Sequence, residues 1–133
     1  ATWCGPCIAS FPQIREHVAH FKGAPVTFLG VTSIQGFVAN MGPRINTEGD
    51  EAKEMSLMTE FMKAKDMTWD VAFSEEEVFN PAYGITGIPF VAIVAPDGTV
   101  RFAGLHPGDP SADIAGKIEA LLKEFNLPLP DKA

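Results

Sequence analysis

The chain has 133 residues, 46% of them hydrophobic and 20% charged, which fits one globular domain with a hydrophobic core. Its net charge of −7 excludes a nucleic-acid-binding role that depends on a basic patch. Two cysteines in a single motif do not make a disulfide scaffold, and no apolar run is long enough to span a membrane.

A helix is predicted directly after the two cysteines. Apolar residues recur there at helical spacing, at Phe11, Ile14, Val18 and Phe21. Pro12 removes one helical donor and crowds the preceding turn, so we expect it to kink this helix. Residues 22–25, which include a glycine and a proline, then end it.

The next part of the chain combines a strand, an irregular stretch and a second helix. Residues 26–32 are short, apolar and rich in β-branched side chains, as in a buried strand. Residues 34–49 carry several glycines and a proline, and we interpret them as an insertion-like excursion beyond the minimal fold. Asp50 is a suitable N-cap for a helix that runs to about Lys65, with Met55, Met58, Phe61 and Met62 on one side.

A second strand and a third helix are predicted after residue 68. Residues 69–73 have the composition of a strand. Ser74 is a potential N-cap in front of three glutamates, which are favourable at a helix N-terminus. We expect the helix that begins there to end near Tyr83 and Gly84.

The C-terminal part predicts a hairpin and a last helix. Residues 90–95 and 99–105 flank Pro96-Asp97-Gly98, a turn sequence typical of two adjacent strands. A helix follows Asp109 and Pro110, and its apolar side is formed by Ile114, Ile118, Leu121, Leu122 and Phe125. The resulting order αβαβαββα predicts an α/β fold whose first strands are parallel and whose last two are antiparallel.

The motif Trp3-Cys4-Gly5-Pro6-Cys7 contains both cysteines of the sequence. Two thiols at this spacing, at the start of a helix, form a reversible dithiol–disulfide pair. The helix N-terminus favours a thiolate on Cys4, so Cys4 is predicted to attack, while Cys7 is expected to be shielded and to resolve the mixed disulfide. The alternative is a structural disulfide or half of a zinc site, but zinc takes about four ligands and no second cysteine pair or close histidine pair supplies them.

Two further features are candidate parts of the same site. Trp3 offers a flat apolar contact to a partner, or it shields the disulfide. Pro89 follows Ile88 at the start of a predicted strand, where the bond between them can be cis. Because Pro89 has no N–H, backbone groups around Ile88 are left free to pair with an extended substrate; a proline that simply opens an edge strand is the alternative.

Together these motifs resemble the thioredoxin superfamily, and in particular its TlpA/ResA-like branch of extracytoplasmic thiol–disulfide oxidoreductases. The matching sequences are residues 1–7, 11–12, 83–85, 87–89 and 96–98, in the order of that family. The resemblance implies a single thioredoxin-like domain over residues 1–133, with a central mixed sheet flanked by helices. It also implies a cis Ile88–Pro89 bond beside the catalytic Cys4 and Cys7, and substrate contacts from Trp3, Gly5, Pro6, Ile88 and Pro89. Neither a cofactor nor a metal is expected.

The sequence lacks three features that are usual in that family: one strand and two carboxylate side chains. A central strand normally runs directly into the cysteine motif, and this chain lacks it. We therefore expect a fragment of a longer protein, or a strand donated by another chain, because a sheet without its middle leaves backbone groups unpaired. Many TlpA/ResA-like proteins carry a glutamate where Ser10 stands here, and the buried acid of thioredoxins belongs to the absent strand.

The expected activity is the reduction of disulfides in partner proteins. The Gly-Pro dipeptide is that of thioredoxin, whose reduction potential is about −270 mV against about −120 mV for a strongly oxidising relative. The resemblance implies a periplasmic or other extracytoplasmic location in a bacterium, membrane anchoring through a missing N-terminus, and a membrane thiol relay as the electron donor.

The rival hypothesis is a non-catalytic adapter or a metallochaperone that binds Cu(I) through the cysteine pair. Several methionines, Met55, Met58 and Met62 among them, are soft enough to bind copper, although methionine at helical spacing is usually adaptable core packing. His17, His20 and His106 are expected on the surface.

Overall fold

The computed structural model describes residues 1–78 and 81–131 of the chain. In order, the helices and strands are α1 (Gly5–Ala9), α2 (Phe11–His20), β1 (Leu29–Ser33), β2 (Phe37–Val38), β3 (Ile45–Asn46), α3 (Glu51–Ala64), β4 (Asp70–Ser74), β5 (Val91–Val94), β6 (Val100–Leu105) and α4 (Ile114–Glu124). Short 3-10 turns lie at Pro81–Tyr83 and Pro110–Ala112. No helix in this described part is long and apolar enough to cross a membrane.

The first helix is broken in two at Ser10. Pro12 has no N–H to donate to the carbonyl of Ile8, so the regular ladder cannot continue through this turn. Ser10 closes α1 with its own N–H, which donates to the carbonyl of Cys7 at 3.0 Å. The kink predicted from Pro12 is therefore confirmed, and it lies two residues before the proline.

Two pairs of strands have the predicted directions. β1 and β4 are parallel, with Leu29 opposite Asp70 and Ser33 opposite Ser74. β5 and β6 are antiparallel and are joined by the predicted turn, in which the N–H of Gly98 donates to the carbonyl of Ala95 at 2.9 Å. Gly98 has a φ of 86°, a conformation that glycine adopts at little cost.

The predicted central sheet is present as separate pairs of strands. Within the described residues, no backbone ladder joins the β1–β4 pair to the β5–β6 pair, and β2 and β3 form a small hairpin of their own. Leu29 and Val31 on β1 are 55% and 57% exposed, an unusual fraction for apolar strand residues. The prediction that this chain lacks the central strand leading into the cysteine motif stays a prediction.

One hydrophobic core lies under α4. Phe21 at the end of α2 packs with Ile114, Ile118 and Leu122, and the half-buried Val91, Ile93 and Leu105 of the hairpin pack against this cluster. The apolar face predicted for the last helix is thus confirmed. Val26 and Phe28, expected to begin β1, precede it and pack on the same core, because β4 offers no partner before Asp70.

A second contact region joins α2 to the end of α3. The rings of Phe11 and Trp69 meet edge to face with centroids 5.1 Å apart, and Phe61 of α3 is 2% exposed. The guanidinium of Arg15 donates to the carbonyl of Lys65 at 3.3 Å. Helix α3 itself begins as predicted, since the Asp50 carboxylate accepts the N–H of Lys53 at 3.0 Å.

The helix predicted to start at Ser74 is wrong. The Ser74 hydroxyl accepts the N–H of Glu76 at 3.2 Å, but the chain then bends, and a 3-10 turn at Pro81–Tyr83 is the helical structure described there. Pro81 removes a helical donor in the middle of the predicted segment and disfavours a helical residue before it. Residues 79–80 of that segment lie outside the described residues.

Candidate active site

Cys4 and Cys7 are joined by a disulfide at the start of α1, with their Cα atoms 5.3 Å apart. Cys4 is the N-cap of the helix, and its Sγ accepts the backbone N–H of Cys7 at 3.1 Å. An unpaired N–H at a helix N-terminus stabilises negative charge placed on it. This contact is one that would favour a thiolate on Cys4 after reduction, and the role of Cys4 as the attacking sulfur stays a prediction.

The two cysteine residues differ in burial, and the order is the reverse of the expected one. Cys4 is 2% exposed, whereas Cys7 is half-buried. Thr2, just before the motif, is buried as well, while Gly5 and Pro6 at the start of the helix are exposed. The expectation that Cys7 is the shielded residue is therefore wrong for the oxidised protein, because Cys4 is the more buried of the two.

Trp3 lies on the exposed side of the motif. Its side chain is 40% exposed, and its indole N–H donates to the side-chain carbonyl of Gln35 at 2.9 Å. Trp3, Gly5 and Pro6 together form the accessible surface next to the disulfide. Their predicted role in binding a substrate stays a prediction.

The excursion at residues 34–49 is part of the surroundings of the cysteine motif. The Thr2 hydroxyl accepts the N–H of Ala39 at 3.0 Å, and the Asn40 side chain donates to the carbonyl of Thr2 at 2.7 Å. With the Trp3–Gln35 bond, these contacts tie the β2–β3 hairpin to the residues just before Cys4. Sequence reasoning missed all three partners, since nothing local marks a bond that spans more than thirty residues of chain.

Glu54 is a second residue that sequence reasoning missed. It lies on α3, is 3% exposed, and accepts backbone N–H groups from Gln35 and Gly36, each at 2.7 Å. A signal was present: Glu54 stands four residues before Met58 and seven before Phe61, on the apolar face of the helix. A carboxylate at a buried position of that kind requires hydrogen-bond donors around it.

Ile88 and Pro89 are joined by a cis peptide bond, as the resemblance implied. Both residues are half-buried, and β5 begins two residues after Pro89. Their position beside the cysteine pair, and their contact with a substrate, stay predictions.

Ser10 has a structural role at the position where many TlpA/ResA-like proteins carry glutamate. It is 2% exposed, and its hydroxyl donates to the carbonyl of Cys7 at 2.7 Å. A hydroxyl of this kind caps the end of α1 and does not supply a carboxylate base near neutral pH.

The three histidines differ in their surroundings. Among the described residues, no group of three or more His, Cys, Asp or Glu side chains could hold a metal ion. His106 is exposed, His20 faces Glu119 of α4 at 2.8 Å, and His17 is half-buried rather than on the surface. Burial lowers the pKa of the His17 imidazole, an effect that Glu16 opposes and His20 reinforces.

A Cys-x-x-Cys disulfide at a helix N-terminus in a mixed α/β domain defines a protein of the thiol–disulfide exchange class with a thioredoxin-like fold. Comparison with known families agrees with this class: the sequence profile of the Redoxin family matches residues 1–119. The chain belongs to the Redoxin family, which indicates thiol–disulfide oxidoreductase activity. A search of the curated proteins gives no match to the chain.

Proposed function

We propose that this protein reduces disulfide bonds in partner proteins through Cys4 and Cys7. The observation that carries the proposal is the Cys4–Cys7 disulfide at the start of α1, where the N–H of Cys7 donates to Cys4 Sγ at 3.1 Å. A donor held against that sulfur favours the thiolate, which is the form that attacks disulfides. The exposed Gly5 and Pro6 leave one side of the motif open to a partner.

The reaction proceeds by two exchanges. The thiolate of reduced Cys4 attacks one sulfur of the partner disulfide, and the second partner sulfur leaves as a thiolate that takes up a proton. Cys7 then loses its proton and attacks Cys4 Sγ, which releases the first partner sulfur. The partner gains two electrons and two protons, and the Cys4–Cys7 disulfide of the structure is the oxidised end of the cycle.

Insulin reduction with dithiothreitol as the electron source tests this proposal. Wild-type protein should accelerate precipitation of the insulin B chain, and Cys4→Ser and Cys7→Ser should abolish the acceleration. Ala9→Ser is the matched control, because it places a serine on the same helix at an exposed position and keeps both thiols. Cys7→Ser should also accumulate a mixed disulfide through Cys4. Wild-type turnover equal to that of Cys4→Ser would refute the enzyme and leave the adapter or Cu(I)-binding hypothesis.

The direction of the reaction is part of the proposal. The Gly5-Pro6 dipeptide supports a reductant, because thioredoxin with the same dipeptide has a potential of about −270 mV. Equilibration with glutathione should give a potential below about −200 mV. A higher potential would contradict reduction and favour an oxidase or isomerase.

We also propose that the protein is a TlpA/ResA-like member of its family, works outside the bacterial cytoplasm, and receives electrons from a membrane thiol relay. The Cys4–Cys7 motif followed by Ile88–Pro89 supports this assignment by resemblance. In cells expressing the full-length gene, the protein should fractionate with the extracytoplasmic compartment. Thiol labelling should find the cysteine pair reduced there and oxidised when the membrane relay is deleted. Recovery from the cytoplasm would overturn the location.

A further inference from the structure

Glu54 is a buried carboxylate whose contacts all reach the excursion at residues 34–49. One oxygen, Oε2, accepts the N–H of Gln35 at 2.7 Å, and the other, Oε1, accepts the N–H of Gly36 and the hydroxyl of Thr47, both at 2.7 Å. Burial of a carboxylate is costly unless donors replace the lost water, and bonds to a carboxylate are shorter and stronger than neutral ones. Glu54 therefore fixes the backbone turn at residues 35–36 against α3.

The same turn fixes the side chain of Gln35. Its Nε2 donates to the carbonyl of Ser33 at 3.0 Å and to the Ser33 hydroxyl at 3.1 Å. With the amide nitrogen committed to Ser33, the amide oxygen is left to accept the indole N–H of Trp3 at 2.9 Å. A continuous set of contacts thus runs from the buried Glu54, through Gln35, to the exposed indole next to Cys4.

We infer that Glu54 is a positioning residue that orients Trp3 for the binding of protein substrates. The bond to Gln35 restrains the indole of Trp3, which is 40% exposed, and ordering a side chain at the moment of binding has an entropy cost. An aromatic side chain that is already ordered avoids that entropy cost. This inference rests on the proposed function, since it assigns to the excursion the task of presenting Trp3 beside the redox pair.

The indole N–H gives a readout that does not depend on activity. The chain has two tryptophans, so a proton–nitrogen NMR spectrum shows two indole signals, and Trp3→Phe identifies the one from Trp3. Glu54→Gln should shift that signal and speed its exchange with water, because the amide nitrogen it introduces cannot accept the backbone N–H groups. Glu60→Gln makes the same change at an exposed position of the same helix and should leave the signal unchanged.

Kinetics with a large and a small substrate then test the role in binding. Glu54→Gln should raise the KM for insulin about three- to tenfold, the loss expected when one interface side chain must be ordered on binding. The rate with glutathione disulfide, which is too small to depend on Trp3, should stay at the wild-type value. Glu60→Gln should match the wild type with both substrates.

A second variant separates positioning from folding. Gln35→Met keeps the backbone N–H that Glu54 accepts and removes the acceptor for the Trp3 indole. It should reproduce both the indole shift and the higher KM, and it should add nothing when combined with Trp3→Phe.

Three results would overturn the inference: an unchanged indole signal in Glu54→Gln and Gln35→Met, an unchanged KM for insulin, or an equal loss of rate with both substrates. The last result would indicate that Glu54 acts on the thiols themselves. Failure of the proposed function looks different, because wild-type protein would then be inactive while the indole signal still responded to Glu54→Gln.

Discussion

The backbone N–H of Cys7 donates to Sγ of Cys4 across 3.1 Å, so the N-terminus of α1 contacts the first sulfur of the motif directly. Burial ranks the two cysteine residues the other way, since Cys4 is 2% exposed and Cys7 is half-buried. Thiol reactivity depends first on the fraction of thiolate, because the protonated thiol is not a nucleophile. We therefore expect charge stabilisation to outweigh access in the reduced protein.

Alkylation of the reduced protein tests this ranking. With a limiting amount of iodoacetamide near neutral pH, Cys4 should be modified before Cys7, because its thiolate is the stabilised one. Peptide mass spectrometry locates the label, and Cys7→Ser should retain the fast reaction while Cys4→Ser loses it. If Cys7 is labelled first, exposure governs and the attacking sulfur has been misassigned.

Removal of the hydrogen bond between Thr2 and Ala39 tests how strongly the excursion at residues 34–49 stabilises the domain. Thr2→Val keeps the shape of the side chain but leaves the N–H of Ala39 without its acceptor. This bond is half-buried, so its loss should cost about 0.5–1.5 kcal/mol, which urea unfolding should detect as a lower free energy of unfolding. Thr2→Ser keeps the hydroxyl, and a loss of the same size in that variant would show that the methyl group matters instead of the bond.

Ile118 is the test of the core under α4. It is 8% exposed and packs in the cluster with Phe21, so Ile118→Val should lower the free energy of unfolding by about 0.5–1.5 kcal/mol. Leu129→Ala removes more carbon from a side chain that is 46% exposed and should change it by less than about 0.5 kcal/mol. Equal effects in urea titrations would mean that this cluster is not the stabilising core.

The lowered pKa of His17 predicts that the free energy of unfolding falls on mild acidification. Burial lowers its pKa below the ordinary value of 6.5, so the unfolded chain binds the proton more readily than the folded one. The stability that follows from this difference is present above 6.5 and is lost as the pH falls through the folded-state pKa. Wild-type protein should therefore lose more free energy of unfolding than His17→Gln between about pH 7.5 and pH 5. A constant difference between the two would contradict the effect.

The features predicted correctly are those that the local sequence determines. The N-cap at Asp50, the turn at Gly98 and the buried face that includes Ile118 each depend on residues within a few positions of one another. Cys4 and Cys7 could also be predicted as a thiol pair from the sequence, because the chemistry of such a pair depends on the spacing of the cysteines and on the start of a helix. The burial of Cys4 relative to Cys7 could not be predicted, because the atoms that cover Cys4 are brought there by folding.

The residues missed are those whose partners lie far away in sequence. Gln35 and Trp3 are thirty-two residues apart, and Glu54 meets Gln35 from another element, so no local pattern predicts either bond. The wrong helix after Ser74 has a local cause: its capping signal was given more weight than Pro81, which interrupts the segment.

The unpaired edges of the β1–β4 and β5–β6 pairs bear on whether molecules of this chain associate in solution. Each of β1, β4, β5 and β6 has one bonded neighbour within the described residues, so all four are edge strands. Open edges with apolar side chains are templates for pairing between molecules, and Val94 and Val100 are each 58% exposed. The net charge of −7 opposes such pairing by repulsion, and salt screens that repulsion. We therefore expect a higher ionic strength to favour self-association of the chain through these strands.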